Sequence, residues 1–328
     1  MLIPKPLAGR TIAEVPRPDL DSVSQISIAF AGRIAADLGA RVVCVTADGD
    51  DPMAGWAPLA ADGLSAIGAF LGSGKSFAKT VPEDSSDVLT SDRDLAYGWD
   101  RGAAVLIRSS LDNDAPHSEL TILAATGLLD IFGEPGRPPL AMPGHQAAYS
   151  AGAAAFDALV AAILGATLGN GHRPGQVSVV DVALWLNWKN YMAAALGMDD
   201  LGIGRAEDWV TVAARDGHFA LVLQDKNMPQ LVELVENPRL AGPRFATLAA
   251  RRRNVEEFVS IVSDWARDMP REDILLTARR LGLPFGPVLK IADLIGDQQM
   301  LSRDFIELAK GSPRHGLPRL PAAWFEAA

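Results

Sequence analysis

Apolar residues follow two different periods along the first half of the chain, and this alternation predicts strands followed by helices. Runs at 10–15, 41–45 and 103–108 have the length and composition of buried strands. Between the first two runs, apolar positions recur every four residues over 24–38 and end at Gly39, as in an amphipathic helix. Strand, helix and strand in this order predict a parallel α/β layer with its ligand near the strand ends.

The rest of the first half is less regular. Helices are predicted at 55–72, 119–129, 145–168 and 182–196, and a turn and short strand at 175–181. The polar stretch 79–91 is predicted to be a loop. Because small residues dominate 145–168, that helix can approach its neighbours closely, and we expect it at the centre of the fold.

The second half predicts a smaller α+β domain. Two apolar runs, 209–214 and 218–223, flank a turn centred on Asp216-Gly217, which is typical of a hairpin. Helices are predicted to follow at 228–235, 255–265 and 271–281. The resulting division is a large domain at 1–196, a linker at 197–208, a small domain at 209–290 and a return segment at 291–328.

Composition narrows the class of protein. The chain has 328 residues, of which 48% are hydrophobic and 21% charged, so it can bury a large core. Its net charge of −10 argues against a nucleic-acid partner. The single cysteine, Cys44, excludes an internal disulfide, and no Cys/His cluster has the spacing of a metal site. Without a recognisable signal peptide or membrane span, we expect a cytoplasmic protein.

One glycine-rich segment resembles a phosphate-binding loop. Gly72-Ser-Gly-Lys75-Ser76 offers backbone amides and a lysine, but a Walker A loop needs glycine where Ala69 stands. We therefore interpret it as a surface turn whose Lys75 can contact an anion. Cys44 lies inside a predicted strand and is expected to be a buried structural thiol.

Glu119 is the carboxylate with the most informative position. It follows Pro116-His-Ser and begins a predicted helix, so its side chain can lie near unpaired N–H groups at a helix start. Two interpretations remain open from the residues alone: an ordinary first-turn glutamate that stabilises the helix dipole, or a functional carboxylate.

Several segments together resemble the family III CoA-transferases, a family that includes formyl-CoA and carnitine CoA-transferases and the alpha-methylacyl-CoA racemases. The segments with this resemblance occur in the family's order at 6–9, 31–40, 126–135, 175–181, 216–221, 243–247 and 282–288. The resemblance implies a Rossmann-like large domain, a smaller domain between its parts, and an interlocked homodimer. A glycine-rich flap, here containing Gly202 and Gly204, is implied before the small domain.

The same resemblance implies a catalytic residue and a reaction. Counting back eight residues from Gly127, as in the family's transferases, gives Glu119 where the family usually has Asp. That carboxylate would carry CoA between an acyl-CoA and a carboxylic acid as a glutamyl-CoA thioester. Coenzyme A is then a substrate, and no tightly bound cofactor or metal is implied. We expect a homodimer, with a paralogous second subunit as the alternative.

The resemblance also implies a CoA site. Gln25, Ile26 and Ser27 would line the pantetheine entrance, and Gly72, Ser73, Gly74 and Lys75 would approach the nucleotide. Thr46-Ala47 and Asp92-Arg93 stand where the family has other pairs, which favours a second interpretation, a non-catalytic partner subunit or acyl-CoA binder. A third, an acyl-CoA racemase, is disfavoured because Ser118 and Ala148 stand at the positions of its acid and base.

Overall fold

The computed structural model describes residues 5–17, 21–112, 117–133, 137–169, 173–198, 209–308 and 316–321. Residue contacts divide the chain into two compact units, Met1–Met192 with Phe305–Ala328, and Ala193–Asp304. The second unit thus extends beyond the predicted boundary at 290. Of the predicted linker at 197–208, only the first two residues are described, so Gly202 and Gly204 lie outside the described residues and the flap stays a prediction.

A parallel sheet of six strands forms the centre of the first unit. Its strands are β1 (Thr11–Val15), β2 (Arg41–Val45), β3 (Lys75–Ala78), β4 (Asp87–Thr90), β5 (Ala104–Arg108) and β6 (Gly175–Ser178). They lie in the order β3-β2-β1-β4-β5-β6, and each pairing is parallel. This is the strand order of doubly wound dinucleotide-binding folds, and it confirms the predicted mixed α/β architecture.

The helices of this part of the chain are α1 (Ser22–Asp37), α2 (Ala66–Gly72), α3 (Arg93–Gly98), α4 (Glu119–Ala125), α5 (Gln146–Thr167), α6 (Val179–Leu186) and α7 (Trp188–Ala195). The boundary between the two units falls within α7, after Met192. Near the C-terminal end of the described chain, β10 (Ile306–Leu308) and β11 (Gly316–Pro318) form an antiparallel pair.

The helices α1 and α5 pack closely because small residues line their contact. A Cβ atom added at Gly152 of α5 would lie 2.7 Å from the Ser27 carbonyl oxygen and 2.8 Å from the Phe30 Cβ atom. Ala148, Ala151 and Ala155 on the same side of α5 are fully buried. The small residues of α5 therefore allow this helix to pack closely against α1, as predicted.

Several elements differ from the sequence-based expectation, among them β4, β3 and α2. β4 lies inside the stretch predicted to be a loop, because its buried Asp87 is neutralised by Arg10 at 2.9 Å and accepts a hydrogen bond from the Ala103 N–H group. β3 was not predicted. The helix expected at 55–72 is confined to α2, since residues before Ser65 form turns that include Gly63 at φ +85°.

The second unit has its own core. Its three-stranded antiparallel sheet contains β7 (Trp209–Ala214), β8 (Gly217–Val222) and β9 (Phe285–Val288). Its helices are α8 (Met228–Val235), α9 (Leu248–Arg253), α10 (Val255–Ala266), α11 (Arg271–Arg280) and α12 (Gln298–Ser302). The predicted hairpin is present, with Arg215 and Asp216 between the paired residues Ala214 and Gly217.

One described helix, α5, is long and apolar enough to cross a membrane by length and composition alone, with a mean hydropathy of 1.6. Core helices of soluble proteins have the same properties, and α5 contributes Ala147 and Leu159 to the buried core. Among the described residues, no group of three or more His, Cys, Asp or Glu side chains could hold a metal ion.

Candidate active site

Glu119 begins α4, and the N-terminus of α4 is satisfied without it. The Ser118 side chain accepts a hydrogen bond from the Thr121 N–H group at 3.2 Å. In return, the Ser118 N–H group donates to the Thr121 hydroxyl at 2.9 Å, which completes a capping box. The Glu119 carboxylate is therefore free to interact with another element.

That element is the start of α5. Glu119 Oε1 accepts a hydrogen bond from the Ala147 N–H group at 2.5 Å, and Oε2 accepts from the Ala148 N–H group at 3.3 Å. His145, the N-cap residue of α5, makes no side-chain capping bond. Glu119, which precedes Ala147 by 28 positions in the sequence, accepts hydrogen bonds at this helix start instead. The sequence indicated that Glu119 lies near a helix start, but the helix is α5 and not its own.

Aromatic and imidazole groups surround the start of α5. Burial raises the pKa of the half-buried Tyr149, and the negative charge of Glu119 raises it further. The Tyr149 ring lies 5.1 Å from the Phe30 ring and 6.4 Å from the His145 ring, between centroids. His117 Nε2 and His145 Nδ1 are enclosed without a hydrogen-bond partner among the described residues.

These two histidines were not singled out from the sequence. The signal available was their position: His117 lies two residues before Glu119, and His145 immediately precedes the helix that Glu119 contacts.

A cavity of about 740 Å³ opens at the carboxyl ends of β1, β2 and β3. This is the edge of a parallel α/β sheet at which ligands bind. Its lining residues are Pro16, Gln25, Val45, Thr46, Ala47, Asp48, Pro52, Trp56 and Lys79. Gln25, predicted to contact CoA, therefore faces a space large enough for part of such a ligand.

Ile26 and Ser27, the neighbours of Gln25, occupy a different environment. Both are fully buried. The Ser27 hydroxyl donates to the carbonyl oxygens of Val23 at 2.8 Å and Ala148 at 3.0 Å. The structure thus contradicts the expectation that Ile26 and Ser27 line the pantetheine entrance, because both side chains are enclosed in the core and Ser27 holds α1 against the first turn of α5.

The segment from Gly72 to Lys75 joins α2 to β3. Gly74 has a φ of +77°, which favours glycine, and Lys75 is the first residue of β3. The Lys75 ammonium lies 2.6 Å from Glu14 Oε1 and donates to the Ala29 carbonyl oxygen at 2.6 Å. Only 2% of the Lys75 side chain is exposed, so the structure contradicts its expected contact with an anion. The contact predicted between CoA and the residues Gly72, Ser73 and Gly74 stays a prediction.

The Lys75–Glu14 pair lies in the core of the first unit. Burial raises the pKa of Glu14, and the ammonium of Lys75 counteracts part of that effect. Burial, with the nearby charge of Glu14, also raises the pKa of the Cys44 thiol. Cys44 is 5% exposed, as expected for a structural thiol.

Lys79 is the cationic residue that lines the 740 Å³ cavity, and the local sequence pattern did not indicate it. It immediately follows β3, so recognising that short strand would have placed it at the carboxyl edge of the sheet. The same reasoning would have placed Thr46, which directly follows β2, beside it.

Comparison with known proteins identifies the family. The model of CoA-transferase family III matches residues 108–327, which is more than half of the chain. The chain belongs to CoA-transferase family III. Glu119 and α5 lie within the matched residues, whereas β1 to β4 precede them.

Curated relatives of this family III chain are distant. The succinyl-CoA–L-malate CoA-transferase alpha subunit of Chloroflexus aurantiacus is 25% identical over 193 residues, which cover 55% of this chain and 44% of the relative. The formyl-CoA:oxalate CoA-transferase of Streptomyces coelicolor is 23% identical over 107 residues, covering 31% and 26% respectively. The chain thus spans less than half the length of the curated relatives it matches.

Two solved structures share the fold over nearly the whole chain. A CaiB/BaiF family protein from Brucella suis superposes with a TM-score of 0.80 at 20% identity, covering 99% of this chain and 94% of its own. A hypothetical protein from Mycobacterium tuberculosis superposes with a TM-score of 0.73 at 18% identity, covering 98% and 93%. These similarities establish the architecture.

Proposed function

We propose that this family III member transfers CoA between an acyl-CoA and a carboxylic acid through Glu119. The carboxylate attacks the thioester carbon and expels the CoA thiolate, which forms a mixed anhydride. The thiolate then attacks the Glu119 carbonyl carbon, forms a glutamyl-CoA thioester and releases the first acid. The acceptor acid reverses both steps and leaves as the new acyl-CoA, with Glu119 restored.

The position of Glu119 at the start of α5 is the observation that supports this proposal. Each carboxylate oxygen accepts one N–H group, so each keeps a lone pair for attack on the thioester. The same N–H groups and the positive end of the helix dipole suit the negative charge that develops on the acyl oxygen. Glu119 is only half-buried, which leaves a path for a substrate.

We propose that the cavity at the carboxyl edge of β1, β2 and β3 binds part of CoA. Gln25 and Lys79 line it, and Lys79 supplies a positive charge for a phosphate. Gly72, Ser73 and Gly74 lie at the opposite, amino end of β3, and we keep their contact with the nucleotide as a separate part of the proposal. The two relatives are named as CoA-transferases that use L-malate and oxalate, and this supports a carboxylic acid as the acceptor.

We also propose an interlocked homodimer, located in the cytoplasm, with the second unit as a separate small domain. Large apolar side chains remain exposed on three helices of the first unit: Val160 and Leu164 on α5, Leu184, Trp185 and Leu186 on α6, and Trp188, Tyr191 and Met192 on α7. Trp185 is 75% exposed, and such surfaces are typical of interfaces. Sedimentation velocity at micromolar concentration tests this, and a monomeric mass would contradict it.

The second candidate is a non-catalytic family member that acts as a partner subunit or acyl-CoA binder. Two observations favour it: Lys75 is sequestered by Glu14, and the Glu119 carboxylate already has a structural role as the cap of α5. A racemase has less support. Ser118 has the N-cap role in α4, and Ala148 carries no titratable group.

An exchange assay separates these candidates. Radiolabelled CoA or acid is followed between succinyl-CoA and a dicarboxylic acid, and native mass spectrometry records CoA binding. We expect Glu119→Gln to abolish exchange while acyl-CoA still binds. Glu272→Gln, an exposed first-turn glutamate of α11, is the matched control and should keep full exchange. Binding without exchange or adduct in the wild-type protein would support the non-catalytic candidate.

A further inference from the structure

Tyr149 lies in the first turn of α5, next to the two residues whose N–H groups hold Glu119. It directly follows Ala148, and its own N–H group donates to the His145 carbonyl oxygen at 2.9 Å. Side chains of an α-helix point back toward its N-terminus, so the phenol ring of Tyr149 lies over the start of α5. The Glu119 carboxylate occupies the same end of the helix.

Two ring contacts fix the direction of this phenol. The His145 ring meets the Tyr149 ring nearly at a right angle, with 6.4 Å between centroids and 83° between planes. The Phe30 ring of α1 packs against it at 5.1 Å with a tilt of 56°. Because one contact comes from the start of α5 and the other from α1, the ring has little freedom to turn away from the Glu119 end of the helix.

The hydroxyl of Tyr149 is an available donor. Within the part of the chain that the structure describes, it makes no hydrogen bond. Tyr149 is only half-buried, which leaves the hydroxyl accessible to a ligand. The N–H groups of Ala147 and Ala148, in contrast, are both engaged by Glu119. A substrate oxygen that arrives beside Glu119 can therefore use the phenol without breaking an existing bond.

The surroundings keep this phenol protonated. Burial raises the pKa of Tyr149, and the negative charge of Glu119 raises it further. A phenol with a pKa above the ordinary value is neutral at pH 7 and carries the proton that a hydrogen-bond donor needs. The effect of Glu119 also requires that the carboxylate and the phenol lie close to each other.

We propose that Tyr149 is a further catalytic residue, whose hydroxyl donates a hydrogen bond to the carbonyl oxygen of the thioester that Glu119 attacks. This inference rests on the proposed transfer through Glu119. When a carboxylate oxygen bonds to the acyl carbon, an electron pair of the C=O bond moves onto the acyl oxygen. The pair returns when the C–S bond breaks and CoA leaves as the thiolate. The phenol keeps its proton throughout and stabilises only the charge on the acyl oxygen.

Steady-state exchange by Tyr149→Phe tests this role, with succinyl-CoA and a dicarboxylic acid as substrates. The variant keeps the ring and loses a hydroxyl that makes no bond in the described fold, so its Tm should equal that of the wild-type protein. We expect kcat to fall about 10- to 100-fold, because the hydrogen bond strengthens as charge develops. For the same reason, the KM for succinyl-CoA and the CoA binding seen by native mass spectrometry should stay unchanged.

Tyr97→Phe is the matched control. Tyr97 is an exposed tyrosine of the same unit, and its hydroxyl accepts a hydrogen bond from Gln176 Nε2 at 2.8 Å. This variant also loses one phenol hydroxyl, but far from any proposed reacting atom, and should keep the wild-type kcat. Glu119→Gln is assayed beside both variants and reports on the proposed transfer itself.

The outcomes separate this inference from the function on which it rests. Full kcat in Tyr149→Phe with an inactive Glu119→Gln would overturn the role of Tyr149 and leave the transfer through Glu119 in place. A fall in kcat accompanied by a fall in Tm would show a structural role and would also overturn the inference. Exchange retained in Glu119→Gln, or absent in the wild-type protein, would overturn both.

Discussion

Lys75 at the start of β3 and Glu119 at the start of α4 each bring a single charge into contact with a helix backbone. The Lys75 ammonium donates to the Ala29 carbonyl oxygen of α1, but Glu14 neutralises it 2.6 Å away and both side chains are almost completely enclosed. The Glu119 carboxylate accepts from two N–H groups of α5 and remains half-exposed. The comparison shows that a charge balanced inside the core stabilises the fold, whereas a charge held by backbone donors at the surface stays available for chemistry.

The largest expected effect comes from removing half of the buried ion pair. Glu14→Gln leaves the Lys75 ammonium buried without its counter-ion, so the free energy of unfolding should fall by about 3–5 kcal/mol. Combining Glu14→Gln with Lys75→Met should recover most of that loss. Urea denaturation measures both changes.

The control for this experiment is a pair of the same length at the surface. Arg41 and Asp84 also lie 2.6 Å apart, but both side chains are more than half exposed. Arg41→Gln should therefore change the unfolding free energy by less than about 1 kcal/mol. Equal effects of Glu14→Gln and Arg41→Gln would show that Lys75 is not sequestered.

Close packing of α1 and α5 fixes where the donors to Glu119 lie. Gly152→Ala places a methyl group 2.7 Å from the Ser27 carbonyl oxygen and should cost about 1–3 kcal/mol of unfolding free energy. Gly165→Ala on the same helix has nothing within 4 Å of the added atom and should stabilise by up to about 1 kcal/mol. Thermal denaturation of the two variants should therefore shift in opposite directions, and a shared direction would argue against this helix contact.

The cap supplied by Glu119 should contribute less. Glu119→Ala removes both acceptors for the Ala147 and Ala148 N–H groups and should cost about 1 kcal/mol. Glu119→Gln keeps one oxygen acceptor and should cost less. Thermal unfolding measures this difference, and loss of exchange in Glu119→Gln at nearly full stability would separate the catalytic role from the structural one.

The smallest expected effect is on the titration of Tyr149. Glu119→Gln removes a negative charge that favours the neutral phenol, so the pKa of Tyr149 should fall. Burial is the larger cause, and the pKa should therefore stay above the ordinary value. Absorbance of the phenolate near 295 nm reports this titration, with Tyr149→Phe identifying its contribution among the three tyrosines. An unchanged titration would mean that Glu119 does not lie close to Tyr149 in solution.

The sequence predicted much of the α/β layer because β1, β2 and β5 are short runs with clear apolar composition. It missed β4 because the strand begins with Asp87, a charge made tolerable by Arg10, which lies 77 positions earlier. Local patterns do not contain such long-range neutralisation. For the same reason, the sequence indicated an exposed Lys75, although Glu14, 61 positions away, encloses it.

The candidate site shows the same limit. Family resemblance indicated Glu119, but the donors that hold it belong to α5, 28 and 29 positions further along. Topology, rather than local composition, therefore determines where the Glu119 carboxylate is held.

The covalent state of Glu119 tests the central proposal most directly. The protein is incubated with succinyl-CoA, treated with hydroxylamine, digested and analysed by peptide mass spectrometry. Hydroxylamine attacks a glutamyl anhydride or thioester and leaves a hydroxamate on that side chain. We expect a hydroxamate on Glu119 that requires the acyl-CoA and is absent in Glu119→Gln. Full CoA exchange with Glu119 unmodified, or exchange retained in Glu119→Gln, would contradict the proposed mechanism.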